Sequence, residues 1–177
     1  MIRIIAGKFK GHKIKSGLDR PGFRPTKDRV KESLFSIIGN INEYKVLDLF
    51  AGSGSLGFEA LSRGANQVVF VEKNFKQSRI IGENAEKLKL NDTFKIIVQP
   101  VLTFLNKNKQ NYDLILADPP YESDENDQII EILTDKFSGT KVVLEISSDY
   151  QINEDLLQKI SPDIRIYGNT KLIIFKV

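Results

Sequence analysis

From Tyr44 onward, the chain alternates short apolar runs with segments in which apolar residues recur at helical spacing. The apolar runs cover residues 45–50, 67–72, 94–98, 112–118 and 141–146, and the helical segments between and after them cover 55–63, 74–89, 101–108, 125–136 and 152–159. Continuous runs of Val, Ile and Leu separated by helices are typical of a parallel sheet covered on both faces. The pattern predicts an α/β fold with a doubly wound, Rossmann-like sheet.

The end of the chain departs from this rhythm. Residues 163–167 and 171–177 form two apolar runs that are joined by the turn residues Gly168 and Asn169. A connection this short can join only antiparallel strands. We therefore expect the sheet to be completed by a terminal antiparallel strand.

The start of the chain predicts a small appendage. Residues 2–14 alternate loosely around Gly7 and Gly11, which is typical of a short β-hairpin. A loop rich in Gly, Pro and charge follows the hairpin. We therefore divide the chain into a basic hairpin and loop extension over 1–25 and one folded domain over 26–177.

Charge is distributed unevenly along the chain. Residues 1–31 contain ten Lys or Arg against two Asp, a local balance of +8, whereas the whole chain carries +3, so the remaining 146 residues carry −5. A basic arm on a slightly acidic body is expected of a protein that binds a polyanion such as nucleic acid. A solvated lysine-rich surface explains the charge alone equally well.

The composition limits the other classes of function. The chain has no Cys and a single His, His12, so the usual ligands of a transition metal are missing and we expect no metal site. The first residues are basic and lack an apolar signal region, and no apolar stretch is long enough to cross a bilayer. We therefore expect a cytoplasmic protein.

A glycine-rich phrase follows the first predicted strand of the domain. Gly52, Gly54 and Gly57 match the dinucleotide-binding fingerprint, so an NAD-dependent oxidoreductase is one hypothesis, and a simple tight turn is another. Asp48 lies just before the glycines, where a carboxylate would repel a pyrophosphate but attract the ammonium group of S-adenosylmethionine. Glu72 ends the next strand, where it could accept hydrogen bonds from the ribose of either cofactor.

A second phrase, Asp118-Pro119-Pro120-Tyr121, follows another predicted strand. The Asp118 carboxylate and the Pro119 carbonyl could accept hydrogen bonds from the two N–H groups of a planar amine. Prolines hold a stiff loop, and Tyr121 could stack on a base that has left its helix. Alone, the phrase could be a strand-terminating turn. Together with the glycine loop it indicates methyl transfer from S-adenosylmethionine to a planar amine.

Longer stretches of the chain resemble a known family. The stretches 3–11, 24–35, 46–57, 59–65, 71–73 and 118–121 are similar to the bacterial small-subunit ribosomal RNA methyltransferases that modify N2 of a guanine, the RsmD-like family of class I methyltransferases. The resemblance implies a Rossmann-like methyltransferase fold with an N-terminal hairpin and S-adenosylmethionine as cofactor. It also implies a guanine of 16S rRNA, in RNA or in a small-subunit particle, as the acceptor.

The expected site residues form three groups. The cofactor group is Asp48, Phe50, Ala51, Gly52, Gly54, Glu72, Lys73 and Thr26; the catalytic group is Asp118, Pro119, Pro120 and Tyr121; the RNA-binding group is Arg3, Lys8, Lys10, Lys13, Arg24 and Arg29. The chain departs from many class I methyltransferases near 99–101, where Gln-Pro-Val offers no acid for the adenine amino group. Gln99 or a backbone group is expected to take that contact.

Three other functions stay open. A DNA amine methyltransferase would use the same chemistry but usually carries a larger target-recognition region. A methyltransferase for a protein or small-molecule amine would not need the basic arm. A non-catalytic RNA-binding assembly factor would keep the arm but would not need both Asp48 and Asp118. The chain is expected to act as a monomer.

Overall fold

The computed structural model describes residues 1–16, 28–121 and 123–177, and in these ranges the chain forms nine strands and six helices. The strands are β1 (Ile2–Arg3), β2 (Lys13–Ile14), β3 (Lys45–Leu49), β4 (Gln67–Val71), β5 (Phe94–Ile97), β6 (Leu114–Ala117), β7 (Lys141–Ser147), β8 (Asp163–Tyr167) and β9 (Thr170–Lys176). The helices are α1 (Asp28–Ile38), α2 (Ser55–Ser62), α3 (Phe75–Lys87), α4 (Val101–Lys107), α5 (Asn126–Lys136) and α6 (Glu154–Ile160). None of these helices is long and apolar enough to span a membrane.

Seven of the strands form one sheet in the order β5-β4-β3-β6-β7-β9-β8. The first five strands in this order are mutually parallel, and β9 is antiparallel to both of its neighbours. The predicted α/β doubly wound sheet is confirmed, and each predicted element of the domain from β3 onward is present with ends within two residues. The antiparallel strand lies between β7 and β8 rather than at the edge of the sheet.

Helices cover both faces of the sheet. Because strand side chains alternate, Val46 and Phe70 face a core formed with α1, α2 and α3, whereas Leu47 and Val69 face a core formed with α4, α5 and α6. All four side chains are almost fully buried. The strands are therefore apolar on both faces, which explains why their sequences read as continuous runs.

The N-terminal hairpin is packed into the first of these two cores. Its strands pair antiparallel through Ile2 and Ile14, which confirms the predicted hairpin. Ile2, Ile4, Phe9 and Ile14 are buried together with side chains of α1 and α2. The division at residue 25 stays a prediction, because residues 17–27 lie outside the described ranges.

A buried carboxylate on α2 holds the hairpin in place. Glu59 is fully buried and accepts hydrogen bonds from the backbone N–H groups of Ile5 (2.8 Å) and Ala6 (3.1 Å). Arg63 donates from Nε to the same carboxylate at 2.8 Å. A buried charge is costly unless it is paired and hydrogen-bonded, so these three donors make Glu59 a stable anchor. The extension is thereby fixed to the helix that follows the glycine-rich loop.

One of the basic residues counted in the sequence is structural. Lys31 on α1 is 1% exposed, and its Nζ donates to the backbone carbonyl of Arg3 at 2.8 Å. Burial lowers the pKa of Lys31, while the nearby charges of Glu59 and Asp28 act in the opposite direction. The basic surface of the described extension therefore depends on other residues than Lys31.

A glycine pair in the hairpin tests this docking. Gly7 and Gly11 both have positive φ, but a Cβ at Gly7 would lie 1.7 Å from the carbonyl oxygen of Ser62, whereas a Cβ at Gly11 would meet nothing within 4 Å. Gly11→Ala should cost about 1–2 kcal/mol of unfolding free energy for the left-handed backbone alone. Gly7→Ala should cost clearly more and should release the amide protons of Ile5 and Ala6 to exchange.

Urea unfolding and amide hydrogen exchange measure both effects. Equal destabilisation by the two substitutions would show that the contact between Gly7 and α2 is not what holds the hairpin.

Candidate active site

Acidic residues lie at the carboxyl ends of three adjacent strands. Asp48 on β3 pairs in register with Phe70 on β4 and with Leu116 on β6. Glu72 and Asp118 each lie two residues beyond those partners, so the three acids share the face of the sheet that α1, α2 and α3 cover. Asp48 is 1% exposed and Glu72 is 9% exposed, while Asp118 is half-buried. The fold therefore brings together three acids predicted from two distant motifs.

A fourth acid, which the sequence reasoning missed, extends this row. Glu145 on β7 is buried, and because Leu144 pairs with Ala117, Glu145 lies level with Asp118 on the neighbouring strand. The available signal was a single acidic residue inside the predicted apolar run 141–146. The described residues contain no group of three or more His, Asp or Glu side chains that could hold a metal ion.

The Asp48 carboxylate lies beneath the first turn of α2. Its Oδ2 accepts a hydrogen bond from the backbone N–H of Gly57 at 2.9 Å. The first N–H groups of a helix have no partner within the helix, so Asp48 satisfies one of them from the end of a strand. The connecting loop turns through three residues with positive φ, Phe50 (58°), Gly52 (55°) and Gly54 (81°). This geometry fixes the loop over Asp48.

Packing explains two of the three glycines. A Cβ at Gly54 would lie 2.6 Å from the ring of Phe58, and a Cβ at Gly57 would lie 2.2 Å from the ring of Phe70. These glycines let the start of α2 approach the sheet closely. The tight-turn interpretation of the motif therefore accounts for Gly54 and Gly57 without a ligand, and evidence for a cofactor depends on the carboxylates.

The environment of Asp48 favours a positive ligand. Burial raises its pKa to about 7, the Gly57 N–H opposes that rise, and the charge of Glu72 adds to it. A carboxyl group with this pKa is about half protonated at neutral pH. A cation placed against it would restore the ionised form, since an opposite charge at short range lowers an acid's pKa.

Glu72 is oriented by two backbone donors. Its Oε2 accepts from Gly52 N at 2.9 Å, and its Oε1 accepts from Asn74 N at 2.7 Å. Asn74 in turn caps α3, since its side chain accepts from two N–H groups of the first turn. A carboxylate offers about four acceptor positions, so Glu72 can still accept hydrogen bonds from two hydroxyl groups. Lys73 is exposed beside it.

Exposed apolar side chains adjoin Glu72, and the sequence reasoning missed them. Phe75 is 66% exposed at the start of α3, and Val98 is 47% exposed just beyond β5. Both follow the carboxyl ends of neighbouring strands, so they lie at the same edge as the acids. Gln99 is half-buried, and Pro100 precedes α4 without an N–H to offer. This part of the edge suits a planar apolar ring.

The Asp-Pro-Pro-Tyr segment is held at both of its ends. The backbone N–H of Asp118 points at the carbonyl oxygen of Leu49 at 3.4 Å, and the side-chain oxygens of Tyr121 and Thr170 are hydrogen-bonded at 2.7 Å. Pro119 is buried, Pro120 is exposed and Tyr121 is 39% exposed. Thr170 starts β9 directly after the predicted turn at Gly168 and Asn169, but no sequence motif pointed to a contact with Tyr121. The segment therefore presents Asp118 and Tyr121 from a fixed frame.

The predicted RNA-binding residues do not all lie near this edge. Lys8, Lys10 and Lys13 are exposed on the extension, but the backbone N–H of Lys8 donates to Ser62 at the far end of α2 (2.7 Å). That end is about 10 Å along the helix axis from the end at the acidic edge. Arg3 is exposed and pairs with an acid on α1 at 3.3 Å. The remaining predicted RNA contacts are Arg29, which is exposed on α1, and Arg24, which lies outside the described residues, as does Thr26 of the predicted cofactor group.

Comparison with known proteins shows the family of this chain. A family model described as conserved hypothetical protein 95 matches residues 2–176. The ribosomal RNA small subunit methyltransferase D of Haemophilus influenzae is 41% identical over 136 residues, which cover 75% of this chain and 70% of that protein. The chain belongs to the ribosomal RNA small subunit methyltransferase D family. The resemblance found in the sequence is confirmed.

Two further proteins in this comparison match the chain almost completely. A Bacillus subtilis protein, provisionally named as an rRNA methyltransferase, is 31% identical over 183 residues, which cover 99% of this chain and 98% of that protein. A solved structure of a hypothetical protein from Thermus thermophilus superposes with a TM-score of 0.83 at 27% identity and covers 100% of both chains. The family fold thus includes the hairpin extension.

The raised pKa of Asp48 predicts a pH-dependent effect of Asp48→Asn. The unfolded chain ionises this group near 3.8 and the folded chain near 7, so the folded state binds the extra proton between these values and loses stability as pH rises. Asn removes this loss while keeping an acceptor for Gly57. The variant's stability relative to the parent should rise between pH 4 and pH 7 by up to about 4 kcal/mol.

Thermal unfolding at pH 4.5, 6 and 8 measures this difference. A difference between variant and parent that stays constant over the three values would contradict the raised pKa.

Proposed function

We propose that this chain transfers a methyl group from S-adenosylmethionine to the exocyclic N2 amine of a guanine in 16S ribosomal RNA. Family membership supports the reaction and the substrate class. The observation that carries the proposal is the row of carboxylates at one sheet edge, with Asp48 and Glu72 on one side and Asp118 on the other. That row matches a cationic nucleoside cofactor next to an amine.

The residues on the Asp48 and Glu72 side of the carboxylate row fit the cofactor. The buried Asp48 carboxylate would pair with its ammonium group, and the Glu72 carboxylate would accept from its ribose hydroxyls. Phe75 and Val98 offer apolar surface for the adenine ring. The loop residues expected to surround the methionine end are Phe50, Ala51, Gly52 and Gly54, with Lys73 and Thr26 as the remaining expected contacts. When bound, the cofactor supplies an electrophilic methyl group.

The residues on the Asp118 side of the carboxylate row would position the amine. The lone pair of a guanine N2 is delocalised into the ring, so the nitrogen is a weak nucleophile. Hydrogen bonds from its two N–H groups to the Asp118 carboxylate and the Pro119 carbonyl would orient it for in-line attack, and Tyr121 would stack on the base. The N–C bond would form as the bond between the methyl group and the sulfonium sulfur breaks, which leaves a neutral thioether, and the N–H proton would pass to Asp118 or to water. Rate comes from positioning and charge stabilisation, without a covalent bond to the protein.

The position of the basic residues favours a large RNA substrate. The Lys8 region lies at the far end of α2, about 10 Å along the helix axis from the acidic edge, so an RNA that contacts both places extends beyond the target nucleotide. A base inside a duplex must leave its stack to reach Asp118, and the extension would hold the surrounding RNA. We further propose that the acceptor is rRNA within a small-subunit particle in the cytoplasm and that the chain acts as a monomer.

Nucleoside analysis tests the proposed function. Small ribosomal subunits that lack the modification are incubated with the protein and labelled S-adenosylmethionine, and the RNA is digested. The expected product is N2-methylguanosine in 16S rRNA. Label recovered in ribosomal protein, or in another nucleoside, would contradict the proposed acceptor.

If Asp118 orients the amine, replacing it should impair methyl transfer without affecting cofactor binding. Asp118→Ala should lower kcat by at least about 100-fold because the amine loses its orienting acceptor, while the Kd for cofactor stays within about twofold. Asp92→Ala, an exposed acid in the loop before β5, serves as control and should leave both unchanged. Retained transfer in Asp118→Ala would remove Asp118 from the mechanism.

If the exposed lysines of the extension bind RNA, replacing them should weaken RNA binding without affecting cofactor binding. Replacing Lys8, Lys10 and Lys13 by Glu should raise the KM for RNA by at least about tenfold, because phosphate contacts supply the affinity, and should leave the Kd for cofactor unchanged. The control carries the same charge change at three exposed lysines elsewhere, which are Lys95, Lys107 and Lys109. Equal loss of cofactor binding would show that the extension is only structural.

A further inference from the structure

An open depression of about 380 Å³ lies between α1 and the end of β8, and neither predicted motif includes it. Its lining combines one aromatic ring, one guanidinium group, one carboxylate, two hydroxyl groups and an aliphatic side chain, from Tyr167, Arg29, Glu32, Ser33, Ser36 and Ile37. A volume of this size lies at the lower end of the range for small-molecule sites. It suits one nucleotide and excludes a duplex.

The depression adjoins the acidic edge. Tyr167 is the last residue of β8 and pairs with Thr170, the residue hydrogen-bonded to Tyr121 of the Asp-Pro-Pro-Tyr segment. Neighbouring strands lie about 4.8 Å apart, so the backbone of Tyr167 is one strand spacing from that contact. The depression therefore opens beside the segment that is proposed to hold the target base.

The direction of α1 agrees with this placement. The carbonyl oxygen of Ile38, at the end of α1, accepts from Lys141 Nζ at the start of β7 (3.1 Å). The helix therefore runs against the parallel strands, and its first turn lies toward their carboxyl ends. Arg29 belongs to that first turn and is exposed. Its guanidinium group is available on the side of the depression nearest the acidic edge.

The mixture of groups indicates the ligand class. Glu32 disfavours an isolated phosphate, while Arg29 disfavours an isolated cation. An unpaired nucleotide fits both of these charged side chains. Its base offers a flat face to Tyr167 and N–H donors to Glu32, and its phosphate offers oxygen acceptors to Arg29. Tyr167 is only partly buried against the core, so part of its ring faces the depression.

We propose that this depression binds an unpaired nucleotide of the RNA substrate that flanks the target guanine. The proposal rests on the proposed function and names a second contact for the same substrate. Tyr167 packs against the core and belongs to neither predicted motif. Its position beside Arg29 and Thr170 gives it a role in substrate recognition as well.

Kinetics of Tyr167 variants test the proposal. Tyr167→Leu removes the stacking face but keeps an apolar side chain, and it should raise the KM for RNA about tenfold while kcat and the cofactor Kd stay unchanged. Tyr167→Phe should behave as the parent. Ile166→Ala, an adjacent residue that is 63% exposed and on the other face of β8, is the matched control and should also leave the KM unchanged.

Photo-crosslinking gives a readout that does not depend on methyl transfer. RNA substrates carry 5-iodouridine at single unpaired positions around the target, and mass spectrometry identifies the crosslinked residue. The expected result is a crosslink to Tyr167 from one flanking position. Crosslinks only elsewhere, together with an unchanged KM in Tyr167→Leu, would overturn this inference while leaving rRNA methylation intact.

A failure of the proposed function has a different signature. If the parent protein neither methylates nor binds the RNA, the proposed function and this inference fall together. If the parent protein methylates the rRNA, the Tyr167 variants and the crosslinks decide the inference alone.

Discussion

The hydrogen bond between the Asp48 carboxylate and the Gly57 N–H joins the end of β3 to the first turn of α2. It fixes the path of the glycine-rich loop and keeps a carboxylate in a place where water does not reach. The free-energy cost of that burial is visible in the pKa of Asp48, which is raised to about 7. The ionised form of Asp48 is unfavourable in this buried place, and the positive charge of the proposed cofactor would offset that cost.

The helix that begins above Asp48 also holds the N-terminal extension. Glu59 accepts from the backbone of Ile5 and Ala6, and Ser62 accepts from the backbone of Phe9 one turn later. The helix therefore connects two functions at its two ends: the proposed cofactor site at its start and the basic surface at its end. This arrangement accounts for a hairpin that packs into the core although its lysines Lys8, Lys10 and Lys13 are exposed.

The alternation of strands and helices predicted the fold because the central strands β3, β4, β6 and β7 are buried on both faces. The pairing partners of the last strand were not predictable, since the turn at Gly168 and Asn169 fixes an antiparallel pair but not its place in the sheet. Lys31 looked like surface charge, and only the docking of Arg3 explains its burial. Glu145 and Tyr167 acquire neighbours from distant segments, which a local pattern cannot show.

If Asp48 holds the cationic end of the cofactor, binding should change the ionisation of its carboxyl group, and titration calorimetry measures that change. S-adenosylmethionine is titrated into the protein at pH 6.5 in two buffers of different ionisation enthalpy, so that proton release can be counted. With a pKa of about 7, Asp48 should release about three-quarters of a proton on binding, and affinity should rise between pH 5.5 and 7. Binding without proton release, or undiminished affinity in Asp48→Asn, would contradict the account.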